Sequence, residues 1–258
     1  MLARSLVIIP TYNEAENILP LTREVLSQDS SLDVLVVDDG SPDGTGDRVE
    51  RERGSQPRLF LHRRNGKLGL GSAYQAGFRL CLEREYGRAL TMDGDGSHDP
   101  RYLPAILEAA RGADMAIGSR YVPGGGIANW PLHRRALSAF ANWYTRTLLR
   151  VPQRDSTSGY RCYSREVLET VDPFAVKASG YSFLEEMVCR VHRAGFRIVE
   201  VPIVFIDRRS GRSKISRVEI FRAAWHVVRT ALWAPPVQRA RSPRLEESPP
   251  DRRSNLQA

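Results

Sequence analysis

The sequence has few cysteines and no long uninterrupted hydrophobic run. Its three cysteines, Cys81, Cys162 and Cys189, lie far apart, which argues against a disulfide framework or a zinc site and is typical of a reducing cytosol. The first apolar run, Leu6 to Ile9, is too short for the core of a signal peptide. No stretch reaches the roughly 18 uncharged residues that a membrane-spanning helix needs. We therefore expect a cytoplasmic protein without a membrane span.

The composition is that of a soluble globular protein, and its positive charge is unevenly placed. Hydrophobic residues make up 41% and charged residues 26% of the 258 positions, which favours one or two domains. The net charge is +8, and residues 205–258 alone contain twelve lysines and arginines against five acids. Such an excess indicates an anionic partner, which could be a nucleic acid, a lipid surface or phosphate groups.

Short apolar runs alternate with helical patterns along the chain. Strands are predicted at Leu6–Pro10, Val34–Asp38, Leu59–His62, Ala89–Asp93, Met115–Gly118 and Ile198–Phe205. Several are unbroken Val, Ile and Leu, as expected for strands buried on both faces. Asn13 with Glu16 resembles a capping box that opens the first helix, and Asp99 before Pro100 resembles an N-cap. The pattern predicts an α/β fold with a mostly parallel sheet flanked by helices.

Polar motifs follow three of the predicted strands. They are Thr11–Glu14, Asp38–Thr45 and Asp93–Asp99. In open parallel sheets, ligands bind beyond the carboxyl ends of the strands, so these motifs should meet at one edge. This placement predicts a binding site there.

The Asp93-Gly94-Asp95 motif has three interpretations. It could be an ordinary turn, because Asp-Gly pairs are common in turns. A calcium loop is excluded because His98 stands where the loop needs glycine and Pro104 where it needs glutamate. A magnesium or manganese site is the third interpretation, because such ions need only one or two carboxylates when substrate phosphates supply further oxygens.

Basic residues accompany several predicted loops. The segment 63–71 fits neither the G-x-G-x-x-G pattern nor the P-loop, so a flexible loop leading into a helix is favoured over a phosphate cradle. Arg120, Arg134, Arg208 and Lys214 lie near strand ends or in loops. Together they suggest a set of cations that meets phosphate groups.

A last helix is predicted within residues 216–236. Ser216 and Glu219 could cap it, and one face carries Val218, Phe221, Trp225, Val228 and Leu232, beside a basic stripe of Arg222, His226 and Arg229. The helix either packs on the domain, which is slightly favoured, or lies on an anionic membrane surface. Residues 237–258 have almost no apolar side chains, which predicts a disordered tail.

Several motifs together resemble family 2 glycosyltransferases. They are Pro10–Glu14, Val36–Thr45, Met92–Pro100 and Ile117–Tyr121. Within that family, further motifs resemble the polyprenol-phosphate (dolichol-phosphate) mannose synthases: Asn129–Pro131, Thr157–Arg161, Gly180–Phe183 and Gly211–Lys214. The resemblance spans about residues 5–215 in consistent order.

This resemblance implies a GT-A nucleotide-sugar-binding fold, here assigned to residues 1–215, and a role for particular residues. The nucleotide-sugar site would comprise Pro10, Tyr12, Glu14, Val37, Asp39, Asp93, Gly94, Asp95, Arg120, Arg134, Arg208 and Lys214. Asp95, Arg120 and Arg208 would be catalytic, and Asp93, Asp95 and Ser97 would hold Mg²⁺ or Mn²⁺. The chain departs from the family at three positions. Ala is frequent in the family at the position of Gly94, a larger apolar residue at that of Gly96, and Gln at that of Ser97. The identity of the third metal ligand is therefore left open.

The resemblance also implies the reaction and the partners. Mannose would pass from GDP-mannose to a polyprenyl monophosphate with inversion, at the cytoplasmic face of a membrane on which the protein is peripheral, with a separate membrane-anchoring protein as a further candidate partner. Glucose from UDP-glucose is the alternative. A nucleotidyltransferase is disfavoured because PTYNEAEN replaces its Gly-rich basic signature, and a nucleic-acid-binding protein is disfavoured because no recognition motif accompanies the basic C-terminus. No nucleic-acid partner is expected.

Overall fold

The computed structural model describes residues 4–178, 180–207 and 217–233, without the side chains of residues 181, 217–222 and 233. The strands of the described chain are β1 (Ser5–Thr11), β2 (Leu32–Asp38), β3 (Leu59–Arg63), β4 (Arg88–Thr91), β5 (Met115–Ser119), β6 (Gly126–Ala128), β7 (Arg161–Ser164), β8 (Ile198–Pro202) and β9 (Val204–Ile206). The α-helices are α1 (Ile18–Gln28), α2 (Thr45–Arg53), α3 (Leu70–Glu83), α4 (Leu103–Arg111), α5 (Leu132–Leu149), α6 (Arg165–Val171), α7 (Tyr181–Arg193) and α8 (Arg217–Trp233).

Seven strands form one sheet in the order β3-β2-β1-β4-β7-β5-β8. The pairs β3–β2, β2–β1, β1–β4 and β5–β8 are parallel, whereas β7 runs antiparallel to both of its neighbours, β4 and β5. β6 and β9 form a separate parallel pair. The predicted α/β fold with a mostly parallel sheet flanked by helices is confirmed, and the arrangement is of the GT-A type.

The sheet is buried on both faces, which explains the unbroken apolar strands. Leu6 and Ile8 pack on one face in a cluster that includes Phe78 and Phe183, whereas Val7 and Ile9 pack on the other face. Successive side chains of a strand point to opposite faces, so one apolar run supplies two cores. Gly77 lets α3 approach the sheet closely, because a Cβ there would lie 2.5 Å from Cγ2 of Ile8.

The element boundaries differ from prediction at two of the motifs. The capping box at Asn13 is wrong: α1 begins at Ile18, and Asn13 has a φ of 62° and donates its N–H to Oγ of Ser41. β4 ends at Thr91, so Met92 and Asp93 already belong to the loop. The predicted N-cap at Asp99 is confirmed, because its carboxylate accepts the N–H of Arg101. β7 was not predicted at all, because it is only four residues long and begins with an arginine.

The C-terminal helix packs through a different face from the one predicted. In α8, Val227 and Thr230 are buried, whereas 64% of Trp225 and 65% of Leu232 is exposed. Ser216 and residues 234–258, with the predicted cap and tail, lie outside the described residues. Of the helices in the described part of the chain, none combines the length and apolar character that a membrane crossing requires.

Candidate active site

The loop after β1 is fixed to the loop after β2 by three backbone hydrogen bonds. The N–H groups of Asn13, Glu14 and Ala15 donate to the side chains of Ser41, Thr45 and Asp43, over 3.0, 2.9 and 3.0 Å. β1 and β2 are parallel neighbours, so their following loops lie side by side. The two motifs therefore form one rigid edge of the candidate site, as their position after adjacent strands predicted.

Asp43 is the centre of this connection. Its Oδ1 accepts both the N–H and the hydroxyl of Thr45, at 3.0 and 2.6 Å, while its Oδ2 accepts Ala15. Burial alone would raise the pKa of the Asp43 carboxyl, but these hydrogen bonds from Thr45 and Ala15 hold its pKa below the ordinary value. Asp43 is therefore ionised under neutral conditions and acts as an acceptor for both loops.

Asp39 holds the loop that precedes α3. Nε of Arg64 donates to Oδ1 of Asp39 at 2.6 Å, and the N–H of Leu68 donates to Oδ2 at 3.2 Å. Arg64 also donates to Oγ of Ser72 and to the carbonyl of Gly69. The loop leads into α3 as predicted. These contacts favour an ordered loop over the expected flexible one, because Arg64 and Leu68 both donate to the buried carboxylate of Asp39.

The other predicted nucleotide-site residues lie around the same edge. Tyr12 is half-buried, with Nζ of Lys67 5.1 Å from its ring centre. Pro10 is in β1, and the backbone of Glu14 is held by Thr45 as described. Val37 is fully buried in the core, so its side chain packs within the domain. Their nucleotide contacts stay a prediction.

The two aspartates of the 93–95 motif lie directly beside the end of β1. A Cβ on Gly94 would lie 3.1 Å from the carbonyl oxygen of Pro10, so this loop touches the end of β1. Asp93 has a side chain that is 35% exposed. Oδ1 of Asp95 accepts the N–H of Ser97 at 3.1 Å and its hydroxyl at 2.6 Å. Because Ser97 is buried and donates to Asp95, its visible role is to orient that carboxylate, and direct metal ligation by Ser97 stays a prediction.

The buried side chain of His98 holds the start of the 93–95 motif through a hydrogen bond. Its Nδ1 accepts the backbone N–H of Asp93 at 3.0 Å, while its ring stacks on Tyr160 at 4.9 Å and meets the ring of Phe205 edge-on. Burial lowers the pKa of His98, although the nearby charges of Asp93 and Asp95 oppose this effect. A neutral imidazole leaves Nδ1 free to accept. Sequence analysis used His98 only to exclude calcium, and missed this role.

The residues present fit a hard divalent cation shared with a diphosphate. Both carboxylates are oxygen donors of the type that Mg²⁺ and Mn²⁺ prefer. Gly159 faces them without a side chain, because a Cβ there would lie 3.1 Å from Oδ1 of Asp93. Within the described ranges, no three His, Cys, Asp or Glu side chains could hold a metal together. Any ion held by the two carboxylates would therefore complete its coordination with water or substrate oxygens.

Arg120 is engaged with a buried acid. Its Nε donates to Oδ2 of Asp155 and its Nη2 to Oδ1, both at 2.7 Å, and Nη2 also reaches Oγ1 of Thr157 at 2.7 Å. Burial would raise the pKa of the Asp155 carboxyl, but the Arg120 guanidinium holds it below the ordinary value. A phosphate contact of Arg120 stays a prediction; the structure adds Asp155, which sequence analysis missed because it lies 35 residues away.

Arg134 lies in the first turn of α5, beside the β6–β9 pair. Its Nη1 donates to both oxygens of Asp207, at 3.0 and 3.1 Å, and its guanidinium lies 3.8 Å from the ring centre of Trp130. This places one predicted phosphate-binding arginine, partly exposed, at the end of β9. The other two predicted cations, Arg208 and Lys214, lie outside the described residues.

Arg161 was not predicted as a site residue, yet it organises the loop that faces the aspartates. It is fully buried in β7 and donates to the carbonyls of Ser158, Ser156 and Leu184, over 2.6 to 2.7 Å. Three carbonyl acceptors around one guanidinium fix the path of the chain through Gly159. In the sequence, the position of Arg161 at the end of the motif Thr157–Arg161 was the one feature that could have indicated this structural role.

Comparison with known proteins identifies the family. Residues 6–172 match the sequence profile described as "Glycosyl transferase family 2". The chain belongs to glycosyl transferase family 2. A family member from Micrococcus luteus, named undecaprenyl-phosphate mannosyltransferase, is 47% identical over 235 residues, which cover 90% of this chain and 95% of the relative. Another, named polyprenol monophosphomannose synthase, from Mycolicibacterium smegmatis, is 49% identical over 87% of this chain and 85% of the relative.

Solved structures show the same fold for this family 2 glycosyltransferase. The crystal structure of glucosyl-3-phosphoglycerate synthase from Mycobacterium tuberculosis, with Mn²⁺, UDP and phosphoglyceric acid, matches with a TM-score of 0.62. The match covers 89% of this chain and 78% of that protein at 17% identity. At this identity the likeness concerns the fold.

Proposed function

We propose that this glycosyltransferase transfers mannose from GDP-mannose to a polyprenyl monophosphate and forms polyprenyl-phosphate-mannose. The observation that carries the proposal is the identity of 47 and 49% to two relatives whose names give mannosyl transfer to undecaprenyl phosphate and polyprenol-monophosphomannose synthesis. These relatives align over nearly the whole described chain. The site geometry supports it, because the backbone of the 93–95 motif packs against the end of β1, which leads into the loop expected to hold the nucleotide.

Asp93 and Asp95 would hold a divalent cation, Mg²⁺ or Mn²⁺, together with the diphosphate of the donor. When bound, the cation would neutralise the charge that develops on the departing diphosphate. His98 and Ser97 would orient the two carboxylates through the contacts described above. Gly94 and Gly159 let the backbone approach closely, because a Cβ at either position would lie 3.1 Å from an oxygen of Pro10 or of Asp93.

The proposed reaction needs positioning more than proton transfer. An oxygen of the acceptor phosphate, already ionised near neutral pH, would attack the anomeric carbon of the mannosyl group. The carbon–oxygen bond to GDP breaks as the new bond forms on the opposite side, so the configuration inverts and the electron pair leaves with GDP. No strong general base is required, and the protein's work is to hold two anions together.

Fixed positive groups would supply that electrostatic work. Arg134 is partly exposed and is rotationally restrained by Asp207 and Trp130, so it could meet a phosphate without reorganisation. A preorganised donor at a developing negative charge is worth about 3–4 kcal/mol. Arg120, held by Asp155, would act from behind the site, and Arg208 and Lys214 are proposed as further phosphate contacts.

The acceptor's chemistry places the proposed reaction at a lipid surface. A polyprenyl phosphate keeps its hydrocarbon chain in the bilayer and its phosphate in water, so the enzyme would act as a peripheral protein, with the cytoplasmic face as the proposed side. The same proposal includes a separate membrane-anchoring protein as an additional partner. The basic C-terminal residues would favour an anionic leaflet.

A donor panel tests the proposal directly. Purified protein, polyprenyl monophosphate and Mg²⁺ are mixed with labelled GDP-mannose, UDP-glucose or UDP-N-acetylglucosamine and then extracted into organic solvent. Label from GDP-mannose alone, lost with EDTA and restored by Mg²⁺ or Mn²⁺, is expected. Label from UDP-glucose would replace mannose by glucose and overturn the donor assignment, while no transfer from any donor would contradict the proposed reaction.

An Asp95→Ala variant tests the metal role. It should lose metal-dependent transfer and bind Mn²⁺ more weakly in a paramagnetic-resonance titration, with an unchanged circular dichroism spectrum. Asp172→Asn, on the loop between α6 and the next short turn, is the matched control and should behave as the wild type. Undiminished Mn²⁺ binding and transfer in Asp95→Ala would refute the metal role.

A further inference from the structure

Helix α5 presents an unusual apolar surface to solvent. Among the described residues, eleven large hydrophobic side chains are exposed, and five of them lie on this helix. They are Leu132, Leu137, Phe140, Trp143 and Leu148, with exposed fractions from 37 to 79%. Exposed apolar residues normally occur singly, so this concentration needs a partner.

The exposed residues form one face of the helix. Its opposite face is buried against the domain through Asn142, Thr145 and Leu149. The rings of Phe140 and Trp143 are in contact at 5.7 Å and make the centre of the surface. Two further exposed side chains, Trp225 and Leu232, come from α8, which packs beside α5 and accepts a hydrogen bond from Tyr144 at the carbonyl of Ala224.

The charge on this helix has a single sign. Residues 132–149 contain no Asp or Glu. Arg135 and Arg146 are exposed and lie about three turns apart, so they form a basic edge on the same side of the apolar face. Arg150 follows at the end of the helix, and none of the three forms an ion pair with another described residue.

We infer that the outer face of α5, extended by Trp225 and Leu232 of α8, is the surface that lies on an anionic lipid bilayer. Aromatic and aliphatic side chains flanked by arginines, without acids, have the chemistry of an interfacial helix. In a symmetric dimer with antiparallel α5 helices, the arginine edges of the two copies would come together, which disfavours that dimer as the occupant. This inference adds a membrane-binding surface to the proposed function. Lipid binding by the surface stands without that function, and only the link to a lipid acceptor rests on it.

The surface adjoins the candidate site at one end. Arg134 lies in the first turn of the same helix and reaches Asp207 and Trp130 beside the site. A lipid whose phosphate lies at the bilayer surface would therefore meet Arg134 without leaving the membrane. The basic edge and the site entrance would face the same leaflet.

Vesicle co-sedimentation of the full chain tests the inference without any enzymatic readout. The probes are vesicles of phosphatidylcholine alone and of phosphatidylcholine with phosphatidylglycerol. Wild type should bind the anionic vesicles more tightly. A Phe140→Ser, Trp143→Ser variant should weaken binding about tenfold or more at physiological salt, because it removes two exposed rings that would enter the lipid. Phe174→Ser, an exposed ring on another element, is the matched control and should bind normally.

The basic edge has its own variant pair. Arg135→Gln and Arg146→Gln should each weaken binding to anionic vesicles about fivefold and leave binding to phosphatidylcholine unchanged. Arg48→Gln and Arg51→Gln on α2 are the charge-matched controls. All of these side chains are exposed, so unchanged melting temperatures should confirm that the variants fold.

Two outcomes would overturn the inference. One is that the Phe140→Ser, Trp143→Ser variant binds vesicles as tightly as the wild type does. The other is a dimer of the wild type in light scattering, together with a monomeric variant that still binds vesicles as the wild type does. That result would assign the surface to contact with a second copy of the chain. Loss of vesicle binding in the variant, together with failure of transfer in the donor panel, would leave the surface standing and refute only the proposed reaction.

Discussion

The backbone N–H of Asp93 donates to Nδ1 of His98 over 3.0 Å, which ties the start of the carboxylate motif to a buried ring. His98 is 2% exposed and stacks on Tyr160, so it is fixed by packing as well as by this bond. The loop that carries Asp93 and Asp95 is therefore held from the interior of the domain.

We expect His98→Phe to weaken the binding of Mn²⁺ about tenfold or more, because a phenyl ring keeps the packing but cannot accept the N–H of Asp93. A paramagnetic-resonance titration of Mn²⁺ measures the effect without requiring turnover. His62→Phe, at an exposed position of β3, is the control and should leave the affinity unchanged. Equal affinity in His98→Phe and the wild type would show that the ring does not position the carboxylates.

Removing Asp155 should destabilise the fold strongly. Asp155→Ala leaves the buried Arg120 charge without its carboxylate partner, which costs about 3–5 kcal/mol. The free energy of unfolding in urea measures this cost, and Glu169→Ala, which breaks an exposed pair with Arg165, should cost less than about 1 kcal/mol. An Arg120→Met, Asp155→Leu variant should recover much of the loss, and failure to do so would contradict the charge argument.

Glu185 should make stability fall with rising pH. Burial raises the pKa of its carboxyl from 4.5 to about 7, although the hydrogen bond from Thr145 and the charge of Arg161 oppose this effect. Between these two values the unfolded chain has released the proton and the folded chain retains it, so the free energy of unfolding declines as pH rises. Below the lower value this contribution is constant.

A Glu185→Gln variant should remove that decline. Urea unfolding at about pH 5 and about pH 8 should differ less in the variant than in the wild type, because the amide has no proton to release in this range. Glu169→Gln, an exposed acid, should keep the wild-type difference. An unchanged pH dependence in Glu185→Gln would mean that this carboxyl does not titrate in the proposed window.

Loss of the Thr45 hydroxyl should loosen the loop after β1. Thr45→Val removes the acceptor for the N–H of Glu14 and the donor to Asp43, while keeping the branched shape. We expect a KM for the proposed donor, GDP-mannose, about tenfold higher, with a smaller change in kcat, because the proposed nucleotide contacts need an ordered loop. Thr45→Ser keeps the hydroxyl and should be close to wild type; equal KM values for both variants would sink the idea.

The sequence was informative where burial imposes a simple pattern. β1 and β2 are continuous apolar runs because both faces of the sheet are covered, and their following polar loops meet because parallel strands end at one edge. The positions of Asp93 and Asp95 beside the first loop could be predicted for the same reason.

The parts that could not be predicted depend on contacts between distant residues. Asp155 neutralises Arg120 across 35 residues, and nothing local to either position indicates the other. β7 begins with a buried arginine whose charge is satisfied by backbone carbonyls, so its sequence does not resemble a core strand. The capping box at Asn13 was wrong because Ser41, in another loop, accepts the N–H of Asn13 that the side chain of Glu16 would accept in a capping box.

The position of β7 also governs the order in which the sheet can be assembled during synthesis. β7 lies between β4 and β5, so β5 is not joined to the β1–β4 part of the sheet until residues 161–164 have emerged. Before that point, both would present unpaired edges of the kind that associate with other chains. The half of the sheet formed by β1 to β5 is therefore not a module that folds first, because its completion waits for a strand encoded after α5.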